Sequence, residues 1–170
     1  MAEVRLATAD EVRSVYTELY APYLNELSRY PEFGKGMSEY TMRYFVQNGS
    51  MQLRVIEEDG RYIGFVLTEM VYAARSDLPE DMLYIVEMYV DREYRGRGAG
   101  KKAFSDILYS TDTPIFLYVI RGNTEARAFW KKMIREYDLR LRIPPDGIIT
   151  YGKGLMPLVF EKPDSRSNAL

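Results

Sequence analysis

Arg95-Gly96-Arg97-Gly98-Ala99-Gly100-Lys101 is the segment of this chain best equipped to hold a charged ligand. It follows an apolar run, Met82 to Val90, that reads as a strand, and it precedes Phe104, Ile107 and Leu108 at helical spacing. Glycine carries no Cβ, so backbone N–H groups there can approach a ligand closely. A helix start adds unpaired N–H donors and the positive end of the dipole, a combination that suits an anion and above all a phosphate. Arg95, Arg97, Lys101 and Lys102 add positive charge. A plainer reading, a tight turn with solvated basic side chains, accounts for the same residues without any ligand. Two other phosphate templates fail on particular residues. A P-loop requires glycine where Arg95 stands and Ser or Thr where Lys102 stands, and a dinucleotide fingerprint places its third glycine at Lys101 rather than Gly100.

Composition removes other chemistries. The chain has no cysteine and no histidine, which excludes a Cys nucleophile, a His-based triad and thiolate or His-rich metal sites. At 170 residues, 46% hydrophobic and 28% charged, it is expected to fold as one soluble domain over residues 1–162, with 163–170 as a frayed tail. A net charge of −2 gives no field for nucleic acid or an anionic membrane. No apolar run approaches the ~20 residues that span a bilayer, and Met1 to Asp10 lacks a secretory pattern. A cytoplasmic location is the default expectation.

The elements that must position the loop are legible in outline. Glu3 to Ala7 alternates like a strand, and Thr8 with Glu11 forms a capping box before a helix carrying Val12, Val15, Tyr16, Leu19 and Tyr20. Pro22 marks a kink or break before Leu24 and Leu27 resume the pattern. Ser38 is placed to cap a second helix, with Met42, Phe45 and Val46, ended by Asn48-Gly49. Asp59-Gly60 turns a hairpin between Leu53–Val55 and Ile63–Leu67. Ile115 to Ile120 is a further strand, Asn123 or Thr124 opens a helix through about Arg135, and strands near Leu139 to Ile143 and Leu155 to Glu161 close the chain. The order βααβββαβαββ is mixed α/β.

Arg95-x-x-Gly98-x-Gly100 resembles the cofactor loop of the GNAT superfamily of N-acetyltransferases, in which backbone amides bind the pyrophosphate of acyl-CoA. Leu117-x-Val119 followed by Asn123-x-x-Ala126-x-x-Phe129-Trp130 is similar to that family's second cofactor element, and the element order matches over nearly the whole chain. The resemblance implies a GNAT-like central mixed sheet, mostly antiparallel, of about seven strands flanked by about four helices. It implies acetyl-CoA as cofactor, held by Arg95 to Lys101 and by Met88, Tyr89 and Val90 of a splayed strand, with Asn123, Phe129 and Trp130 on the opposite wall. Dimers are common in the family, so a homodimer is possible. Two departures stand out. The family often has Tyr at the position of Trp130, as the acid for the leaving thiolate, and an indole cannot titrate there. It often has Gly-Phe where Met133-Ile134 stand.

The implied reaction is direct attack of an amine on the thioester, with the N–H groups of Met88 to Val90 as donors to the developing oxyanion and a base for the ammonium proton. Without histidine, Glu87 is the candidate base, because it interrupts the apolar strand eight positions before Arg95. A partly wet strand carboxylate paired with a cation, or an anchor for a cationic acceptor, are the other roles open to it. Glu69 in the neighbouring strand is the second candidate. Tyr118, Tyr89 and Tyr151 are candidate acids, none of them singled out, and each reads first as a packing residue. Tyr23, Glu26, Tyr30, Glu32 and Phe33, around Pro22 and Pro31, read as a loop that contacts an aromatic or cationic acceptor, either a small molecule or a peptide amine.

Overall fold

Alternating apolar residues and one tight turn build most of the sheet. In a computed structural model, which describes residues 1–31, 39–148 and 154–163, Asp59 and Gly60 adopt φ of +52° and +73° and join β2 (Gln52–Glu58) to β3 (Arg61–Val71). With β1 (Glu3–Leu6), β4 (Met82–Val90), β5 (Ile115–Ile120), β6 (Arg140–Arg142) and β7 (Leu155–Glu161) they form a seven-stranded sheet of order β1-β2-β3-β4-β5-β7-β6. Every neighbouring pair is antiparallel except β4 and β5. The expected mixed, mostly antiparallel architecture is what the chain adopts.

Helices α4 (Ala99–Ser110) and α5 (Thr124–Glu136) cover one face. Phe104, Ile107, Trp130 and Met133 pack there against Val66, Ile85, Leu117 and Phe160. The other face is covered by α1 (Glu11–Val15), α2 (Ala21–Leu27) and α3 (Glu39–Gln47), which place Val12, Leu19, Tyr20 and Met42 over Val55, Phe65, Leu67 and Tyr89. α1 and α2 are one continuous helical run. A π-turn over Tyr16–Tyr20, with the Ala21 N–H donating to the Tyr16 carbonyl, joins them. That wider turn accommodates Pro22, which lacks an N–H, so the helix neither ends at Tyr20 nor breaks at the proline. Half of the expected capping box forms. The Glu11 carboxylate accepts from the Thr8 N–H at 2.8 Å, but the Glu11 N–H is taken by the Thr8 carbonyl rather than its hydroxyl. Ser38 lies outside the described residues.

Two irregularities in β4 shape the site. Leu67 pairs with Glu87 while Thr68 pairs with Ile85, so Val86 is an extra residue, a β-bulge. The bulge reverses the alternation. Leu83 and Ile85 face α4 and α5, as do Met88 and Val90, whereas Val86, Glu87 and Tyr89 face the α1–α2 side. Pairing of β4 with β5 is confined to Leu83 with Ile115 and Tyr84 with Phe116. Beyond that point β5 stays bonded to β7 and β4 to β3, and the sheet opens into a V. Among the described residues no helix is long and apolar enough to cross a membrane.

Candidate active site

The V between β4 and β5 is a cleft of about 640 Å³. Past Val90, the Asp91 carboxylate accepts from the Glu93 N–H at 3.0 Å and closes a single turn, Arg92–Tyr94. Gly96 and Gly98 then take φ of +79° and +89°, conformations that only glycine adopts without strain. Left-handed residues interleaved with ordinary ones turn successive N–H groups toward one side. From Gly96 to Lys101 no backbone N–H has a protein acceptor among the described residues, and the first helical bond runs from the Lys102 N–H to the Gly98 carbonyl at 2.9 Å. Gly100 is different: it lies inside α4, and a Cβ there would sit 3.2 Å from Phe129 Cε2, so its bareness lets α4 approach α5.

Arg95 and Lys101 line the cleft, and most basic side chains around this loop also have protein partners. The Arg95 guanidinium donates to the Val90 carbonyl (2.8 Å), Glu26 Oε2 (2.8 Å) and Glu125 Oε2 (3.2 Å), and it lies 5.5 Å from the Tyr89 ring centroid. It therefore braces α2, β4 and α5 together. Lys101 pairs with Glu136 at 2.9 Å and Lys102 with Asp106 at 3.5 Å. Arg97 lies over the Tyr94 ring and does not line the cleft. The main chain and the helix terminus add to the positive character of the site. Glu26 and Glu125, which sequence reasoning did not assign to this brace, lie 69 and 30 residues away from Arg95 in the chain.

The walls of the cleft are Met88, Tyr89 and Val90 on one side and Asn123 and Phe129 on the other, with Tyr23, Glu26 and Tyr30 above. The Asn123 carboxamide oxygen accepts the Ala126 N–H at 3.0 Å and so caps α5. Trp130 lines the cleft but is mostly buried. It is 6% exposed and packs edge-on against Phe104 (5.3 Å) and at a tilt to Phe160 (6.2 Å), which makes it a core residue. Trp130→Ala is expected to cost ~3–5 kcal/mol of stability, a fall in Tm of roughly 6–20 °C for a chain of this size, measurable by scanning calorimetry.

Glu87 does not line the cleft. It is half-buried, and its Oε2 accepts from the Tyr23 hydroxyl. Burial raises the Glu87 carboxyl to about 7, and the Tyr23 bond opposes that shift only in part. Burial also lifts the Tyr23 phenol well above its ordinary range, reinforced by the neighbouring carboxylate. The Tyr23 ring is fixed between Tyr20 (5.9 Å), Phe65 (5.6 Å) and Tyr89 (5.2 Å). Tyr23 and Glu26 thus stand on α2, not in a loop, because the π-turn carries the helix past Pro22.

Glu69 stands opposite Tyr84 on β3 and is raised by burial, but it is not among the cleft residues. Of the tyrosines considered as acids, Tyr118 packs edge-on against Tyr84 and Phe116. Tyr89, pushed up to about 12 by burial and then by Glu26, donates to Glu26 at 3.4 Å. Glu32, Phe33 and Tyr151 lie outside the described residues.

Solved structures share this architecture. That of Arabidopsis thaliana NAA60 in complex with a bisubstrate analogue aligns over 95% of this chain and 98% of that one, with 17% identity and a TM-score of 0.63. Diaminobutyrate acetyltransferase EctA from Paenibacillus lautus aligns over 95% of each chain, with 15% identity and a TM-score of 0.65. Ribosomal-protein-alanine N-acetyltransferase from Brucella melitensis biovar Abortus 2308 aligns over 88% of this chain and 97% of that one, with 13% identity and a TM-score of 0.60. At such identities the likeness is one of fold. No curated protein sequence matches the chain. Residues 12–133 match the acetyltransferase (GNAT) family, and that span contains the splayed strand, the glycine loop and most of the helix facing them: the chain belongs to the GNAT family of acetyltransferases.

Proposed function

We propose that the protein transfers an acetyl group from acetyl-CoA to a primary amine by direct attack on the thioester. The observation that carries this reading is the row of N–H groups from Gly96 to Lys101 that have no acceptor among the described residues, gathered where α4 begins at the cleft. Such a cradle fits a diphosphate. Bound acetyl-CoA supplies an acyl group activated as a thioester. The chain's own part is to orient it and to handle protons. The main chain of Met88 to Val90, unpaired with β5, borders the cleft and offers donors where charge develops on the carbonyl oxygen. Glu87 takes the ammonium proton, its basicity raised toward neutrality by burial.

The acceptor is set by side chains that vary on a shared fold. Similar structures hold diaminobutyric acid in one case and sisomicin in another. Polyamine, aminoglycoside, amino acid and peptide amine are all candidates here. A second reading, a module that binds acyl-CoA without catalysis, draws support from Trp130, which fills the position where an acid often stands and is locked in the core. Titration calorimetry with acetyl-CoA, followed by thiol release with diamines, lysine, a short peptide and an aminoglycoside, tests both. Saturable binding in the micromolar to millimolar range and thiol release with at least one amine are expected. Binding without release points to the module, and no heat at millimolar cofactor defeats both.

A further inference from the structure

Tyr23 joins the cleft to Glu87, a half-buried carboxylate on β4. Tyr23 lines the cleft, while Glu87 does not. The bulge at Val86 turns Glu87 toward the α1–α2 side, where the Tyr23 hydroxyl donates to its Oε2. The ring between them is held on three sides by Tyr20, Phe65 and Tyr89, so the hydroxyl has little freedom to swing aside. A half-buried carboxylate whose hydrogen-bond donor borders the cleft has a path for a proton through that phenol.

We infer that Tyr23 is a catalytic residue, the relay through which Glu87 removes the proton of the acceptor ammonium. This rests on the transferase reading above. In the relay the ammonium N–H gives its proton to Tyr23 Oη while the phenolic proton passes to Glu87 Oε2. The amine becomes neutral, Tyr23 remains a neutral phenol, and Glu87 becomes a neutral acid. No tyrosinate forms, in keeping with the burial that holds Tyr23 well above its usual pKa. Among the described residues, Glu87 is the only carboxylate hydrogen-bonded to Oη. The hydroxyls of Tyr20 and Tyr84 are the other titratable groups acting on Tyr23. Glu69 lies on the same sheet face beside Tyr84, and Glu26 beyond Tyr89 is paired with Arg95.

Tyr23→Phe keeps the ring and deletes the relay. Three measurements on full-length protein test it. In the free protein, the carboxyl carbon of Glu87 followed by NMR is expected to titrate near 7 in the wild type and higher in Tyr23→Phe, because a donor that favours the ionised form is gone. With the best amine of the panel, kcat in Tyr23→Phe is expected to fall ~10²-fold or more and to stay low above the pH at which Glu87 ionises, with acetyl-CoA affinity unchanged by calorimetry. Adding Tyr23→Phe to Glu87→Gln is expected to cost nothing further, since the two act as one unit.

A variant that regains the wild-type plateau at high pH overturns the relay and leaves Tyr23 as a donor that only tunes Glu87. Losses that multiply in the double variant also overturn it. Wild-type protein that releases no thiol with any amine instead sinks the transferase reading, and the relay with it.

Discussion

Gly98→Val is expected to lower acetyl-CoA affinity by one to two orders of magnitude while leaving the fold intact. Gly98 holds φ +89° and ψ −5° at the position just before α4, and a Cβ there would meet nothing within 4 Å. The effect is therefore conformational rather than steric. A left-handed φ costs an ordinary L-residue about 1–2 kcal/mol, and more for a β-branched one, so valine rotates the peptide units on either side. Those units carry the N–H groups of Gly98 and Ala99, part of the row without an acceptor among the described residues. A hydrogen bond to a charged oxygen contributes about 1.5–3 kcal/mol, and misdirecting one of them weakens binding roughly 10–100-fold. Gly49→Val is the matched control. Gly49 has φ +72° and equally open surroundings, but it lies at the end of α3 and is not part of the cleft. Both variants should lose a comparable amount of Tm, and only Gly98→Val should lose affinity in calorimetry. Equal affinities in the two would mean that the loop does not hold the diphosphate.

How far the site can be read in the sequence depends on how local its causes are. The hairpin at Asp59-Gly60 and the bounds of β4, β5 and β7 follow from turn chemistry and apolar runs within a few residues, and the structure keeps them. The strand–loop–helix passage at Arg95 to Lys101 is equally local. What escapes is set by register and by distant partners. The bulge at Val86 exists only relative to Leu67 and Thr68 on β3, and it alone determines which face Glu87 takes. Glu87 can be singled out as a carboxylate in an apolar strand, but its partner Tyr23 is 64 residues earlier. Arg95 reads as a cation beside a phosphate loop, yet Glu26, 69 residues away, makes it a brace. The π-turn shows why Pro22 misleads: the penalty for a proline is local, whereas the packing of Leu19, Tyr20 and Leu27 that holds the helix together across it is not.

Glu87→Gln is expected to lose activity and gain stability, a pairing that separates a functional carboxylate from a structural one. On the kinetic side, the base is active when ionised, and burial places its carboxyl at about 7. Wild-type kcat/KM should therefore fall tenfold per pH unit below about 7 and level off above it, and Glu87→Gln should be ~10²–10⁴-fold slower on that plateau with acetyl-CoA affinity unchanged. On the stability side the sign follows from the same shift. An unfolded glutamate ionises near 4.3, so between there and about 7 only the folded protein holds the proton. The stabilisation from holding it is complete below the unfolded value and disappears as pH rises through the folded one. Above about 7 the folded protein carries a charge in surroundings that disfavour it. A neutral glutamine of the same size removes that burden and still accepts the Tyr23 hydroxyl. At pH 8 the variant should be more stable by about 1–3 kcal/mol, and the difference should close as the pH is lowered toward 4, as followed by thermal melts across that range. A variant less stable at pH 8 would make Glu87 a structural partner of Tyr23, and a variant with wild-type turnover would remove it from proton transfer.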